Sequence, residues 1–93
     1  MTLETHTFHK SLRQAGLRVT APRLAILTAV MDEGQHRDAE AIANAARKQL
    51  GTLSTQAVYD NLHILEEAGL VRRIQPSGHP ARYETETFSI YPG

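Results

Sequence analysis

The sequence predicts a mainly α-helical domain with a small β-hairpin: a winged helix-turn-helix of about four helices followed by a two-stranded antiparallel wing. Apolar residues recur at helical spacing in successive segments, each bounded by capping or stop residues. The spacing then shortens to period two at Val71-Arg72-Arg73-Ile74, just after Gly69. At 93 residues the chain has room for one small domain with a single core.

Each element has its own signals. Leu3, Phe8, Leu12 and Ala15 lie at near-helical spacing, and Gly16 stops that first helix. Thr20 caps a second helix with an early proline, Pro22, and the run Leu24, Ile26, Leu27, Val30 and Met31 marks it for deep burial before Gly34 ends it. Asp38 caps a third, in which Ala39, Ile42, Ala43, Ala46 and Leu50 share a face. Glu40 in its first turn and Arg47 and Lys48 in its last suit the helix dipole, and Gly51 closes it. Ser54 caps a fourth helix to Ala68, with Val58, Leu62 and Leu65 inward, and Gly69-Leu70 reads as a left-handed cap that folds Leu70 back on Leu65. The third and fourth helices form the helix-turn-helix pair. Val71–Ile74 and Ala81–Thr85 form the wing around the turn Gln75-Pro76-Ser77-Gly78-His79-Pro80. Residues 1–86 make one domain, and residues 87–93 form a loosely ordered tail.

Composition narrows the chemistry. With no cysteine, the chain forms no disulfide, thiolate zinc site or cysteine nucleophile of its own. No apolar run approaches the roughly 18 residues of a membrane span, so the expected location is the cytoplasm, with no membrane partner. Ten basic and ten acidic residues give a formal charge of zero, but the sum hides segregation. Lys10, Arg13, Arg18 and Arg23 carry no acid among them, and Arg72, Arg73 and Arg82 form a second basic group. The acids gather at Asp32, Glu33, Asp38 and Glu40, at Glu66 and Glu67, and at Glu84 and Glu86. Charge alone leaves open a shared positive face and a mixed, solvated surface.

The second helix of such a pair enters the major groove of DNA with its N-terminal part, which therefore needs small or polar side chains. Ser54, Thr55, Gln56, Ala57, Tyr59, Asp60, Asn61 and His63 meet that need. Ser54 and Thr55 suit a phosphate at the helix start, Gln56 and Asn61 suit base edges, and Tyr59 suits a thymine methyl or a phosphate. Thr20, Arg18 and Arg23 lie around the entry to the second helix, where an arginine reaches a minor groove or a phosphate. On the wing, Arg73, Ser77 and Arg82 are candidates for backbone contacts, with alternation placing Arg72 and Arg73 on opposite faces. Asp60 is the awkward member, since a carboxylate repels phosphate but accepts from a cytosine amino group or orients a neighbour. A capped amphipathic helix with a merely polar outer face is the competing reading.

The strings Ala15-Gly16-Leu17-Arg18-Val19-Thr20-Ala21-Pro22-Arg23, Ser54-Thr55-Gln56-Ala57-Val58-Tyr59-Asp60-Asn61-Leu62 and Leu65-Glu66-Glu67-Ala68-Gly69-Leu70-Val71 together resemble the N-terminal DNA-binding domain of the ferric uptake regulator family. The wing sequences Ile74-Gln75-Pro76-Ser77-Gly78 and Ala81-Arg82-Tyr83-Glu84 look most like its actinobacterial, catalase-linked branch, which responds to iron or peroxide. The resemblance implies part of a metal-responsive transcriptional repressor that binds AT-rich inverted repeats in double-stranded DNA. It assigns Arg18 to a groove or backbone contact, Tyr59 to thymine, and Ser54, Gln56 and Asn61 to surrounding contacts. Where Asp60 stands, some branches have arginine, so their base preference does not carry over.

Family members continue into a dimerisation domain, so the chain looks like the DNA-binding half alone, a dimer in full-length form and a monomer or weak dimer as 93 residues. A full-length relative binds regulatory Fe2+ or Mn2+ and often structural Zn2+. The resemblance matches His36 and Glu84 to two ligands of the regulatory site, an incomplete set, so no cofactor is expected to bind this chain tightly. For His6 and His9, at i and i+3, surface histidines are preferred to a weak metal chelate, and His63 and His79 read as polar surface or DNA-proximal groups rather than ligands. Asp60, His63 and Ser54 lie on one exposed helix without an evident pocket, so an enzyme is not expected. The alternative function is a truncated winged-helix protein-interaction module or decoy with weak or no specific DNA binding.

Overall fold

The computed structural model describes residues 3–31, 37–75 and 77–85. Its elements run α1 (Leu3–Gln14), α2 (Ala21–Met31), β1 (Arg37–Asp38), α3 (Ala39–Leu50), α4 (Thr55–Glu67), β2 (Val71–Ile74) and β3 (Arg82–Thr85). This is the expected winged helix-turn-helix, with the helix boundaries, the end of α2 apart, within a residue or two of their sequence signals. Gly34, read as the end of the second helix, and the tail 87–93 lie outside the described residues.

The caps explain the helix limits. Thr20 Oγ1 accepts from the Arg23 amide at 3.2 Å, Asp38 Oδ1 from Ala41 at 2.9 Å, and Ser54 Oγ from Ala57 at 3.0 Å. In each case a short side chain satisfies an amide that the first helical turn leaves without a backbone partner. At the other end, α1 and α4 close alike. Leu17 donates to the Leu12 carbonyl and Gly16 to Arg13, while Leu70 donates to Leu65 and Gly69 to Glu66. Both pairs are Schellman closures, and both need a left-handed residue, supplied by Gly16 at φ +78° and Gly69 at φ +81°.

α2 lies at the centre, packed against α1, α3, α4 and β3, which is why its residues are apolar almost all round. Phe8 and Leu12 of α1, Ile26, Leu27 and Val30 of α2, Ile42 of α3, and Val58, Leu62 and Leu65 of α4 are buried in one cluster. Burying each such large side chain contributes about 1.5–3 kcal/mol before the ordering entropy is set against it. Leu70, Val71 and Tyr83 carry the cluster into the wing.

The sheet differs from the expected two strands by a third, very short one. β1 pairs antiparallel with β3, Asp38 opposite Arg82, giving the order β1-β3-β2. Two residues show no period, so the sequence held no signal for this strand. β2 and β3 pair in the register Val71–Thr85, Arg72–Glu84, Arg73–Tyr83 and Ile74–Arg82.

Candidate nucleic-acid interface

α4 buries Val58, Leu62 and Leu65 and turns its polar side chains outward. At about 100° per residue, Gln56, Asp60, His63 and Glu67 fall within about 60° of one another, opposite that apolar stripe. Ser54, Thr55 and Gln56 are exposed, Ala57 is half-buried, and Tyr59 is 49% exposed. Among the described residues Tyr59 is the one large hydrophobic side chain left so open, at the edge of the outward face. On the outward stripe, Gln56 Nε2 donates to Asp60 Oδ1 at 2.9 Å, and His63 Nε2 lies 3.3 Å from Glu67 Oε2.

Two arginines fix the base of α4. Arg47, in the last turn of α3, donates from Nε to the Leu53 carbonyl at 2.8 Å, from Nη1 to Asn44 Oδ1 at 3.1 Å and from Nη2 to Thr55 Oγ1 at 2.7 Å. One planar guanidinium therefore spans the turn and holds the first residue of α4. Arg23, in the first turn of α2, donates from Nε to Asn61 Oδ1 at 3.1 Å and from Nη1 to the Arg18 carbonyl at 2.9 Å. Asn61 Nδ2 in turn donates to the Ala57 carbonyl at 2.9 Å. Asn61, a candidate base reader, is half-buried with both ends of its amide engaged.

The structure thus brings Arg18, Thr20, Arg23 and Asn61 together, and places Ser54, Thr55, Gln56 and Tyr59 at the start of α4. Arg18 is exposed, whereas Thr20 caps α2. Arg73, Ser77 and Arg82 stand exposed on a separate element. Arg73 Nη2 donates to Gln75 Oε1 at 2.8 Å, and Gln75 Nε2 to the His79 carbonyl at 3.0 Å, so Gln75 braces both Arg73 and the loop. Arg72 and Arg73 are both exposed, and Arg72 forms an ion pair with Glu84 directly opposite it.

That pair bears on the metal candidates. Glu84 is held by Arg72, and His36 lies outside the described residues. Among the described residues no group of three or more His, Cys, Asp or Glu side chains gathers.

In the sequence, Arg47 shows only its match to the helix dipole. Its bracing role depends on how the turn folds, which no linear spacing displays. The Gln56–Asp60 pair did have a signal, an amide and a carboxylate four residues apart on a helix.

The family model described as the ferric uptake regulator family matches residues 14–90. "Ferric uptake regulation protein 1" of Mycolicibacterium fortuitum is 55% identical over 78 residues, 84% of this chain and 48% of that protein. The transcriptional regulator FurA of Mycobacterium tuberculosis is also 55% identical over 78 residues, covering 84% of this chain and 52% of the regulator. The chain spans about half the length of the curated relatives it matches. Among solved structures, the Vibrio cholerae ferric uptake regulator superposes with a TM-score of 0.75 at 32% identity, over 88% of this chain and 63% of that one. The Pseudomonas aeruginosa ferric uptake regulator with manganese gives 0.72 at 36% identity, over 84% and 59%. By its family match, its relatives and its superposition, the chain belongs to the ferric uptake regulator family.

Proposed function

We propose that this chain binds double-stranded DNA with sequence preference, as the DNA-binding part of a metal-responsive transcriptional repressor. The start of α4 enters the major groove of AT-rich inverted repeats, with Ser54 and Thr55 toward phosphate, and Gln56 and Tyr59 toward bases. Arg18, Arg73, Ser77 and Arg82 supply contacts to the backbone or minor groove. Thr20, Ala57, Arg23 and Asn61 shape and hold that surface. The role is recognition rather than catalysis, exercised in the cytoplasm, in keeping with relatives named as regulators. Metal response belongs to the larger regulator, and none of these contacts is routed through a metal.

The observation that carries this reading is the contrast within α4. Its base is hydrogen-bonded into the domain by Arg23 and Arg47, while Tyr59 and Gln56 stand open to solvent. A side chain as large as Tyr59, half exposed on a helix hydrogen-bonded into the domain, suits a contact surface. As 93 residues, the chain binds one half-site as a monomer or weak dimer. Titration of labelled AT-rich inverted-repeat DNA and a scrambled duplex, each at two salt concentrations, tests this. We expect tighter binding to the repeat at both, with affinity falling as salt rises; equal affinity for the two duplexes would sink the reading.

A further inference from the structure

We propose that Gln56 and Asp60 form one base-reading unit, which selects adenine or cytosine, the bases with an exocyclic amino group, on the strand it faces and rejects guanine there. The proposal rests on the reading that α4 enters the major groove. It begins with the 2.9 Å bond from Gln56 Nε2 to Asp60 Oδ1 on the outward stripe of α4. An ionised carboxylate only accepts, so the chemistry of the pair, and not the choice of rotamer, turns the amide nitrogen of Gln56 toward Asp60.

What remains for a partner is mostly acceptor. Gln56 keeps its carbonyl oxygen and one N–H, and Asp60 keeps its second oxygen and its charge. In the major groove, adenine offers a donor at N6 and cytosine one at N4, whereas guanine offers acceptors at N7 and O6. An acceptor-rich pair matches the first two and opposes the third. The position of Asp60 supports the same conclusion. A carboxylate on the groove-facing stripe opposes every phosphate and weakens binding to any duplex, so its usefulness there lies in discrimination. A helix-stabilising pair with no reading role would leave the recognised sequence untouched.

Selection from a random duplex library with the parent chain, Asp60→Asn and Gln56→Ala tests the unit, and circular dichroism checks that the variants keep their helices. The parent should enrich a motif with adenine or cytosine at one position of the half-site. Asn at position 60 adds a donor and removes the charge. Asp60→Asn should therefore admit guanine at that position, lowering the preference by about fivefold or more, and bind scrambled DNA more tightly. Gln56→Ala should lose preference at the same position and no other. If the parent selects guanine there, or if both variants enrich the parent motif unchanged or change different positions, the unit is refuted while DNA binding stands. If the parent enriches no sequence, the DNA-binding reading fails and takes this proposal with it.

Discussion

The turn between α3 and α4 and the turn between β2 and β3 both present polar side chains, yet they are held in different ways. Around the helical turn, hydrogen bonds reach across the chain: Arg23 to Asn61 spans 38 residues, and Arg47 to Thr55 spans 8. At the wing tip they stay local, Arg73 to Gln75 spanning 2 residues and Gln75 to His79 spanning 4, and the longer Arg72–Glu84 bond, spanning 12, only ties the two wing strands to each other. The wing joins the rest of the domain at its base, through the apolar residues Leu70, Val71 and Tyr83 and through the pairing of β3 with β1. The difference teaches where preorganisation lies. α4 is set in place by side chains from other helices, whereas the wing is anchored at its base and braced by its own loop near the tip. A preset surface loses less conformational entropy on binding than one ordered by the partner.

The largest test strikes the anchor of the wing. Tyr83 is 7% exposed in the middle of β3, opposite both Arg37 and Arg73. Tyr83→Ala should lower unfolding free energy by about 3 kcal/mol or more, as removal of a buried aromatic ring does. Urea titration measures it, and a loss below about 1 kcal/mol would mean that the wing is not anchored in the core as described.

Next in size is Arg47. Arg47→Ala leaves the half-buried Leu53 carbonyl without its donor and gives the exposed Thr55 hydroxyl to water, a loss of about 1 kcal/mol. Arg47→Lys should recover little of this, because an ammonium has no planar fork to span three acceptors. Full recovery by lysine would show that charge, and not bracing, is what the turn requires.

These two residues also mark how far the sequence was legible. Helices announced themselves through caps and glycines: Ser54, Asp38, Gly16 and Gly69 act where their chemistry predicts, because a cap involves only neighbours along the chain. The candidate surface was legible in outline, since a helix that buries Val58, Leu62 and Leu65 must turn Gln56 and Tyr59 outward. Tertiary partnerships were not legible. No spacing in the sequence shows that Asn61 bonds Arg23 of another helix, or that strand register sets Glu84 opposite Arg72. β1 exists only because β3 passes beside Asp38.

The smallest effect sharpens the contrast most, because it separates charge from geometry on the wing. Gln75 accepts from Arg73 and donates to the His79 carbonyl, so Gln75→Ala removes the brace and leaves the cation. Gln75 is exposed, and stability should shift by no more than about 0.5 kcal/mol. Since the number of neutralised phosphates is unchanged, the slope of log affinity against log salt should also be unchanged. Affinity itself should fall slightly, by the roughly 0.5–1.5 kcal/mol that ordering a freed arginine side chain costs. Arg73→Ala should instead reduce the slope by about 0.9, the value of one phosphate contact. If Gln75→Ala reduces the slope as much as Arg73→Ala does, the guanidinium reaches phosphate only when braced. The wing tip would then be as preset as α4, and the distinction between the two regions would fall.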